Sequence, residues 1–359
     1  MQASFIRRLL IVIGLVTLFG LIIYALAGAT RVFLLTFVAV LIGVFLHSVS
    51  QQLTRRTPLP HGVSLALTIL FVVALLTGFG VFAGPQLSSQ LEGLVNSLPQ
   101  ALNRLEQTLM NISWGQWLLG QLPTLNPLMD ANPETISPID EGVISSLAGR
   151  LSQLFSGLIA TLGDIFYVFL TGIFLAAAAP AYTGGIKHLF PKSWRSETDN
   201  ALRHVYQTLQ GWLFGQFVAM LTIGVLVSAS ALILGVPFAL GLGFLAFIFE
   251  FIPTVGPWLA GVPAVLMALS VSPSTALWMI GIFIVIELLE GNLILPLIHQ
   301  RTVEMPPALS LFAIFLMGNL FGLLGILVAA PMAAVILTLV KLLYVQKQLG
   351  DQVSLPGDA

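Results

Sequence analysis

Residues 237–271, Pro237 to Val271, read PFALGLGFLAFIFEFIPTVGPWLAGVPAVLMALSV. This run of 35 residues is largely apolar, with Glu250 its one charged residue, and it is interrupted by Pro253, Gly256, Pro257 and Pro263. As one straight helix it would measure about 52 Å, against a hydrocarbon core of about 30 Å. One straight crossing is therefore excluded. The run must be tilted and broken, or it must re-enter as a hairpin. Residues 306–343 pose the same problem, with interruptions around Gly318-Asn319 and Gly322. Two long broken apolar runs place the chain in the class of all-α polytopic membrane proteins.

Composition agrees. The chain has 359 residues, 57% of them hydrophobic and only 8% charged, where a soluble domain carries about 25% charge. Mean hydropathy is +0.99. A soluble fold of this length needs a charged skin that these residues cannot supply. A net charge of -1 provides no basic stripe for nucleic acid. The absence of cysteine excludes disulfides and thiolate chemistry.

Outward from the deciding run, about eight hydrophobic segments follow one another. Residues 9–27 and 32–49 make the first two, with a hairpin expected at Gly28-Ala29-Thr30-Arg31. Ala25-Leu26-Ala27 resembles a signal cleavage site, but the apolar run before it is longer than a usual signal core. A third segment covers residues 63–83, so residues 1–84 read as three N-terminal transmembrane helices. Residues 85–150 read as an extramembrane, periplasmic insert, rich in acidic residues. Leu87, Leu91, Leu94, Leu98, Leu102, Leu105 and Leu109 recur at helical spacing there. Pro99 is expected to kink or restart that helix, with Ser97 as its N-cap. Trp114 and Trp117 suit a membrane interface, and four prolines in residues 123–138 mark a loop. The leucine stripe is a packed face or a partner contact.

Further segments cover residues 154–179 and 212–234, before the first long run, and 275–298, between the two. Residues 151–345 form the C-terminal transmembrane transport region, and residues 346–359 a cytoplasmic tail. Lysine and arginine collect before the first segment, at Arg55-Arg56, and between Lys187 and Arg203. Cytoplasmic loops carry such excess, so both termini are expected inside. Eight crossings satisfy this, as do six crossings and two hairpins. The second scheme also brings Arg301 inside and is preferred slightly.

The C-terminal third carries a recognisable series. It reads Gly235-Val236-Pro237-Phe238-Ala239-Leu240, then Phe249-Glu250-Phe251-Ile252-Pro253-Thr254-Val255-Gly256-Pro257. Glu290-Gly291-Asn292-Leu293-Ile294-Leu295-Pro296, Phe321-Gly322-Leu323-Leu324-Gly325 and Ala329-Ala330-Pro331 follow. This series resembles the autoinducer-2 exporter family of bacterial permeases, in order and spacing, over residues 205–345. Pro253-Thr254 departs from that family's usual Pro-Tyr or Pro-Val. The resemblance implies a multi-span inner-membrane transporter, a permease associated with quorum-sensing signal export or, in some members, sodium–proton exchange.

Buried carboxylates are the candidate chemistry. An acid at the centre of a membrane helix costs about 2.5 to 3.5 kcal/mol, so Asp164, Glu250, Glu287 and Glu290 each need a reason. Glu290, Gly291 and Asn292 precede Pro296, which frees the Asn292 carbonyl. Gly291 allows another backbone to approach. Together they make a plausible oxygen-ligand set for a small cation. Glu287 shares the face of Glu290, and two such carboxylates do not both ionise readily in a low dielectric. The plainer alternative is one interfacial Glu and one helix cap. The interruptions at Glu250, Pro253, Gly256 and Pro257, and at Asn319, Gly322 and Gly325, flank this helix, and the substrate or ion path is placed between them. The plainer alternative there is kinking for packing. Asp164 has no basic neighbour in sequence and is expected to bond across to another helix.

Enzyme motifs are missing: no Walker lysine loop, no His-Glu-x-x-His and no Gly-x-Ser-x-Gly. His47, His61, His188, His204 and His299 sit near segment ends and read as interfacial polar residues. No cofactor or resident metal is expected, and transport would be gradient-driven. Three functions follow: a secondary transporter exporting a small polar metabolite, a sodium or lithium/proton antiporter using Glu287 and Glu290, or a non-transporting scaffold. The expected partners are the lipid bilayer, the transported molecule or ion, and further copies of the chain in a homo-oligomer.

Overall fold

The computed structural model describes residues 2–110, 162–294 and 305–351. Trp114, Trp117, the 123–138 loop, Pro296, His299 and Arg301 lie outside them. No strand occurs among the described residues. Helix α1 is Gln2–Arg56, α2 is His61–Phe82 and α3 is Gly84–Met110. After the undescribed stretch come α4, Leu162–Ala177, and α5, Ala179–His188. A short 3₁₀ turn leads into α6, Arg195–Ile233. Then follow α7, Ala239–Phe249, α8, Gly256–Val271, and α9, Pro273–Leu289. Helix α10 is Pro307–Leu339, continued by wide π-helical turns over Val340–Leu349.

By length and composition, five described stretches are apolar and long enough to cross a membrane: Ala29–Arg56, His61–Phe82, Lys192–Ile233, Pro273–Asn292 and Pro307–Leu349, the last of them broken at Gly322. A sixth would be α4 with α5, bent by 82° at Ala178. The molecule is thus an all-α polytopic membrane protein.

The hairpin expected at residues 28–31 does not form. Helix α1 runs through it without a break. No proline interrupts residues 2–56, and one glycine weakens a helix by only about 1 kcal/mol. Arg31 instead reaches across to Asp164 on α4, with Nη2 2.5 Å from Oδ2. That is the interhelical partner Asp164 needed, 133 residues away in sequence. One turn on, the Thr36 and Tyr167 hydroxyls lie 2.8 Å apart.

Two lobes share the chain. In the first, Leu46, Leu65 and Ala176 bring α1, α2 and α4 together. Small residues permit this approach: a Cβ on Gly43 would meet the Gly172 carbonyl at 3.2 Å. In the second, a larger core joins α3, α6, α7, α8 and α9 through residues such as Leu94, Val227, Leu242, Met267 and Met279. Leu91, Leu94 and Leu105 from the leucine stripe of α3, with Ala101 beside them, pack into it, so this face is used within the molecule. Helix α3 continues past Pro99. Ser97 is not its N-cap, for its hydroxyl donates to the Gly93 carbonyl at 2.7 Å.

The deciding run folds back on itself. Helices α7 and α8 measure about 16 and 24 Å, and each is shorter than the hydrocarbon core. The start of α7 rests on α3, where the Gly241 N–H donates to Gln90 Oε1 at 2.8 Å. The end of α8 also rests on α3, where Arg104 donates to the Ser270 carbonyl. Both outer ends therefore lie on one helix, and the break at residues 250–255 points away from it. The second run does the same. Gly322 has φ 63 and ψ -145, a conformation essentially confined to glycine. Beyond it the chain doubles back: a Cβ on Gly325 would run into the Met317 carbonyl. Ile314 and Ala329, which would lie about 22 Å apart along a straight helix, share one core cluster. Helix α10 is thus two arms, 307–321 and 323–339. Both long runs are helical hairpins.

Candidate functional site

The tip of the first hairpin is shaped by its prolines. Neither Pro253 nor Pro257 has an N–H to give, so Pro257 leaves the Pro253 carbonyl without its helical donor. The chain turns through Ile252 N–H to Phe249 O, 2.9 Å, and Gly256 N–H to Ile252 O, 2.9 Å. A Cβ on Gly256 would collide with the Phe249 carbonyl, so the turn needs glycine. Thr254 sits at φ 68, which is strained for a β-branched residue. Such strain persists only where the surroundings impose it, and it clusters at functional sites.

Glu250 is the first residue of this tip and is 1% exposed. The Gln216 amide of α6 donates to its backbone carbonyl at 2.5 Å. Trp212, one turn earlier, meets Phe251 edge-on with ring centres 5.7 Å apart. The Glu250 carboxyl faces that of Glu290, and Glu287 lies within electrostatic reach. Glu290 opens a π-helical turn, Glu290–Ile294, at the end of α9, a distortion frequent at functional sites. Both carboxyl oxygens of Glu250, Oε2 of Glu290 and Oγ1 of Thr254 are buried and find no donor group among the described residues, the two carboxyls meeting only each other. Four such oxygens around one break form an acceptor-rich chamber. Among the described residues, no ion pair neutralises these glutamates. A proton, a small cation or a donor-rich polar molecule would satisfy them.

The second hairpin covers the tip. Ile252 and Val255 pack against Ile314 and Met317 of one α10 arm and Ile326 and Ala329 of the other. The two broken segments therefore meet, as the sequence suggests. The chamber is nevertheless not midway along the helices. Trp212 and Gln216 open the apolar part of α6, directly after the polar strip bearing Arg195, Arg203 and His204. Helix α9 runs about 26 Å from Pro273 before it reaches Glu290. The chamber lies toward the end of the bundle that carries the basic strip.

Several expected members fall elsewhere. Glu287 is exposed, so the buried carboxylate pair is Glu250 with Glu290, from two elements, and not Glu287 with Glu290. The exposed Asn292 spends its amide on the Leu288 carbonyl at 2.8 Å. Among the described residues, nothing lies within 4 Å of a Cβ placed on Gly291. Two residues beyond Glu290, Asn292 lies on another face of the helix. Pro296 is outside the described residues. Asn319 and Gly322 are exposed at the turn of the second hairpin, and Gly325 is buried in its close approach. Gln216, Trp212 and Thr254 were missed. An amide within the apolar stretch Leu213-Phe214-Gly215-Gln216-Phe217 was the available signal for Gln216.

The model of the AI-2E family transporter matches residues 10–344. The chain belongs to that family. Its relatives agree along most of their length. YueF of Bacillus subtilis is 28% identical over 309 residues, covering 84% of this chain and 82% of that protein. MT0215 of Mycobacterium tuberculosis is 30% identical over 284 residues, 77% and 73% of the two chains. The AI-2 transport protein TqsA of Escherichia coli is 24% identical over 328 residues, 90% of each. A transport permease with several membrane-length helices is a multi-pass membrane protein. The hairpin tips and the carboxylate chamber lie within the matched residues of this AI-2E family member.

Proposed function

We propose that the protein is an inner-membrane secondary transporter that exports a small polar metabolite of the autoinducer-2 type, bound at the chamber between the two hairpins. The observation that carries this reading is the set of four buried oxygens on Glu250, Glu290 and Thr254 that find no donor group among the described residues, the two carboxyls having only each other. A hydroxyl-rich molecule supplies the donors they lack. Gln216 holds the tip in place through the Glu250 carbonyl, and the transported molecule binds in the lipid bilayer without a cofactor. The name of TqsA supports the substrate class. The chain works as a homo-oligomer with both termini cytoplasmic.

Ion coupling is the second reading, favoured by one feature: Glu250 and Glu290 face each other, and no basic side chain among the described residues pairs with either. Such a pair can hold a proton in one state of the transport cycle and a sodium or lithium ion in another. Proteoliposomes separate the two. Efflux of labelled autoinducer-2 should fall at least about tenfold in Glu250→Gln, the loss of roughly one charge-assisted hydrogen bond. Unchanged efflux in Glu250→Gln and Glu290→Gln would remove the chamber from the path. A cation-dependent pH change inside the vesicles, abolished by Glu290→Gln, would establish exchange as the activity.

A further inference from the structure

The five histidines are scattered in sequence, and each alone reads as an interfacial polar group. The fold gathers two of them. His47, near the end of α1, and His61, the first residue of α2, have ring centres 5.1 Å apart at 65°. Tyr206 of α6 joins them, its ring centre 5.8 Å from that of His47. Two imidazoles bound to one metal at about 2.0 to 2.1 Å in tetrahedral geometry have ring centres about 5 Å apart. An edge-to-face ring pair also occurs at that spacing, so the distance alone does not decide.

Three further features do. His47 Nδ1 is 3.3 Å from the Ala176 carbonyl on α4. A carbonyl can only accept, so the ring proton belongs on Nδ1 and the lone pair on Nε2. This is the arrangement that fixes a metal-binding histidine. The Tyr206 hydroxyl is buried and bonds at most to the Ser48 hydroxyl, which leaves a lone pair on the phenol oxygen for an ion. Ser48 Oγ, the polar group beside it, accepts from Gln210 at 2.6 Å. Finally, His61 is exposed, which gives an ion a way in.

We propose that His47 and His61, with the Tyr206 hydroxyl as third donor, bind a borderline divalent transition-metal ion such as zinc. Among the described residues no three His, Cys, Asp or Glu side chains form a metal group; this set is two imidazoles and a phenol, with water completing the shell. Imidazole ligands suit zinc, copper and nickel. The ion would tie α1 and α2 of the first lobe to α6 of the second. Tyr206 is ten residues, about 15 Å along the helix, from Gln216. An occupied site would therefore restrain the helix that holds the hairpin tip.

The test is zinc titration of the tag-free, purified full chain by calorimetry, with metal content checked by elemental analysis. One zinc per chain is expected. His61→Gln and His47→Gln should each weaken binding at least about tenfold, a scale set by ligand loss. His188→Gln, whose ring bonds Gly184 of its own helix, should bind as the parent does. Because His61 is exposed, its variant keeps the fold, and a thermal melt matching the parent's confirms this. Zinc bound equally by the His61→Gln and His47→Gln variants, or not bound at all by the parent, would overturn the proposal.

Discussion

At the residue scale, Thr254 and Gly322 occupy opposite positions in the energetics. Gly322 is the residue its φ of 63 and ψ of -145 require, whereas Thr254 is a poor choice for φ 68. Gly322→Ala should cost about 1–3 kcal/mol, read as a lower melting temperature in detergent. Thr254→Gly should do the reverse, raising the melting temperature by relieving strain. It should also slow flux, because it removes one of the oxygens that line the chamber. A Thr254→Gly variant that gained stability and kept full transport would place the strain outside function. The glutamates were legible in the sequence as costly acids in apolar runs. Which two of them face each other was not, because Glu250 and Glu290 are joined only by the folding of α7–α8 against α9.

At the element scale, close approach replaces the hydrophobic effect as the force between helices. A Cβ on Gly224 would meet the Gly243 carbonyl at 3.0 Å, where α6 crosses α7. Gly224→Leu should separate these helices, displace Glu250 and reduce protein recovered folded from the membrane, measured by size-exclusion chromatography. The Arg31–Asp164 pair between α1 and α4 is different in kind. Arg31 is 61% exposed, and exposed pairs couple by about 0.2 to 1 kcal/mol. A double-mutant cycle with Arg31→Ala and Asp164→Ala should return a coupling in that range. The leucine stripe of α3 was visible as an amphipathic period. Its target was not, because helical spacing states which residues share a face and not what covers that face.

At the scale of the whole molecule, the two lobes and the charge pattern make a topology prediction. The chain lacks cysteine, so single cysteines report cleanly. Ser193, beside the cleft of about 620 Å³ lined by Glu197, Arg203 and Lys347, and Ser89 on α3 are both exposed. In inverted and right-side-out vesicles, Ser193→Cys should react with an impermeant maleimide from the cytoplasmic side and Ser89→Cys from the opposite side. Labelling of both from one side would reverse the placement of α3. At the basic end, Lys347 pairs with Glu197, and Lys187 with Asp199. The end of the second hairpin arm is thereby joined to the start of α6.

The sequence by itself determined the class of this protein. Few charges, long apolar runs and prolines within them leave only a polytopic helical membrane protein, because hydropathy and helix length are properties of single segments. It also marked the two runs that could not cross straight. Only the tertiary structure decided that both runs are hairpins, that α1 passes unbroken through residues 28–31, and that Asp164 finds Arg31. Only it could set Glu250 against Glu290, His47 against His61, and Gln216 against the tip. These are contacts between segments far apart in the chain. A local pattern specifies a helix and its faces, but which faces meet depends on the packing of all of them at once.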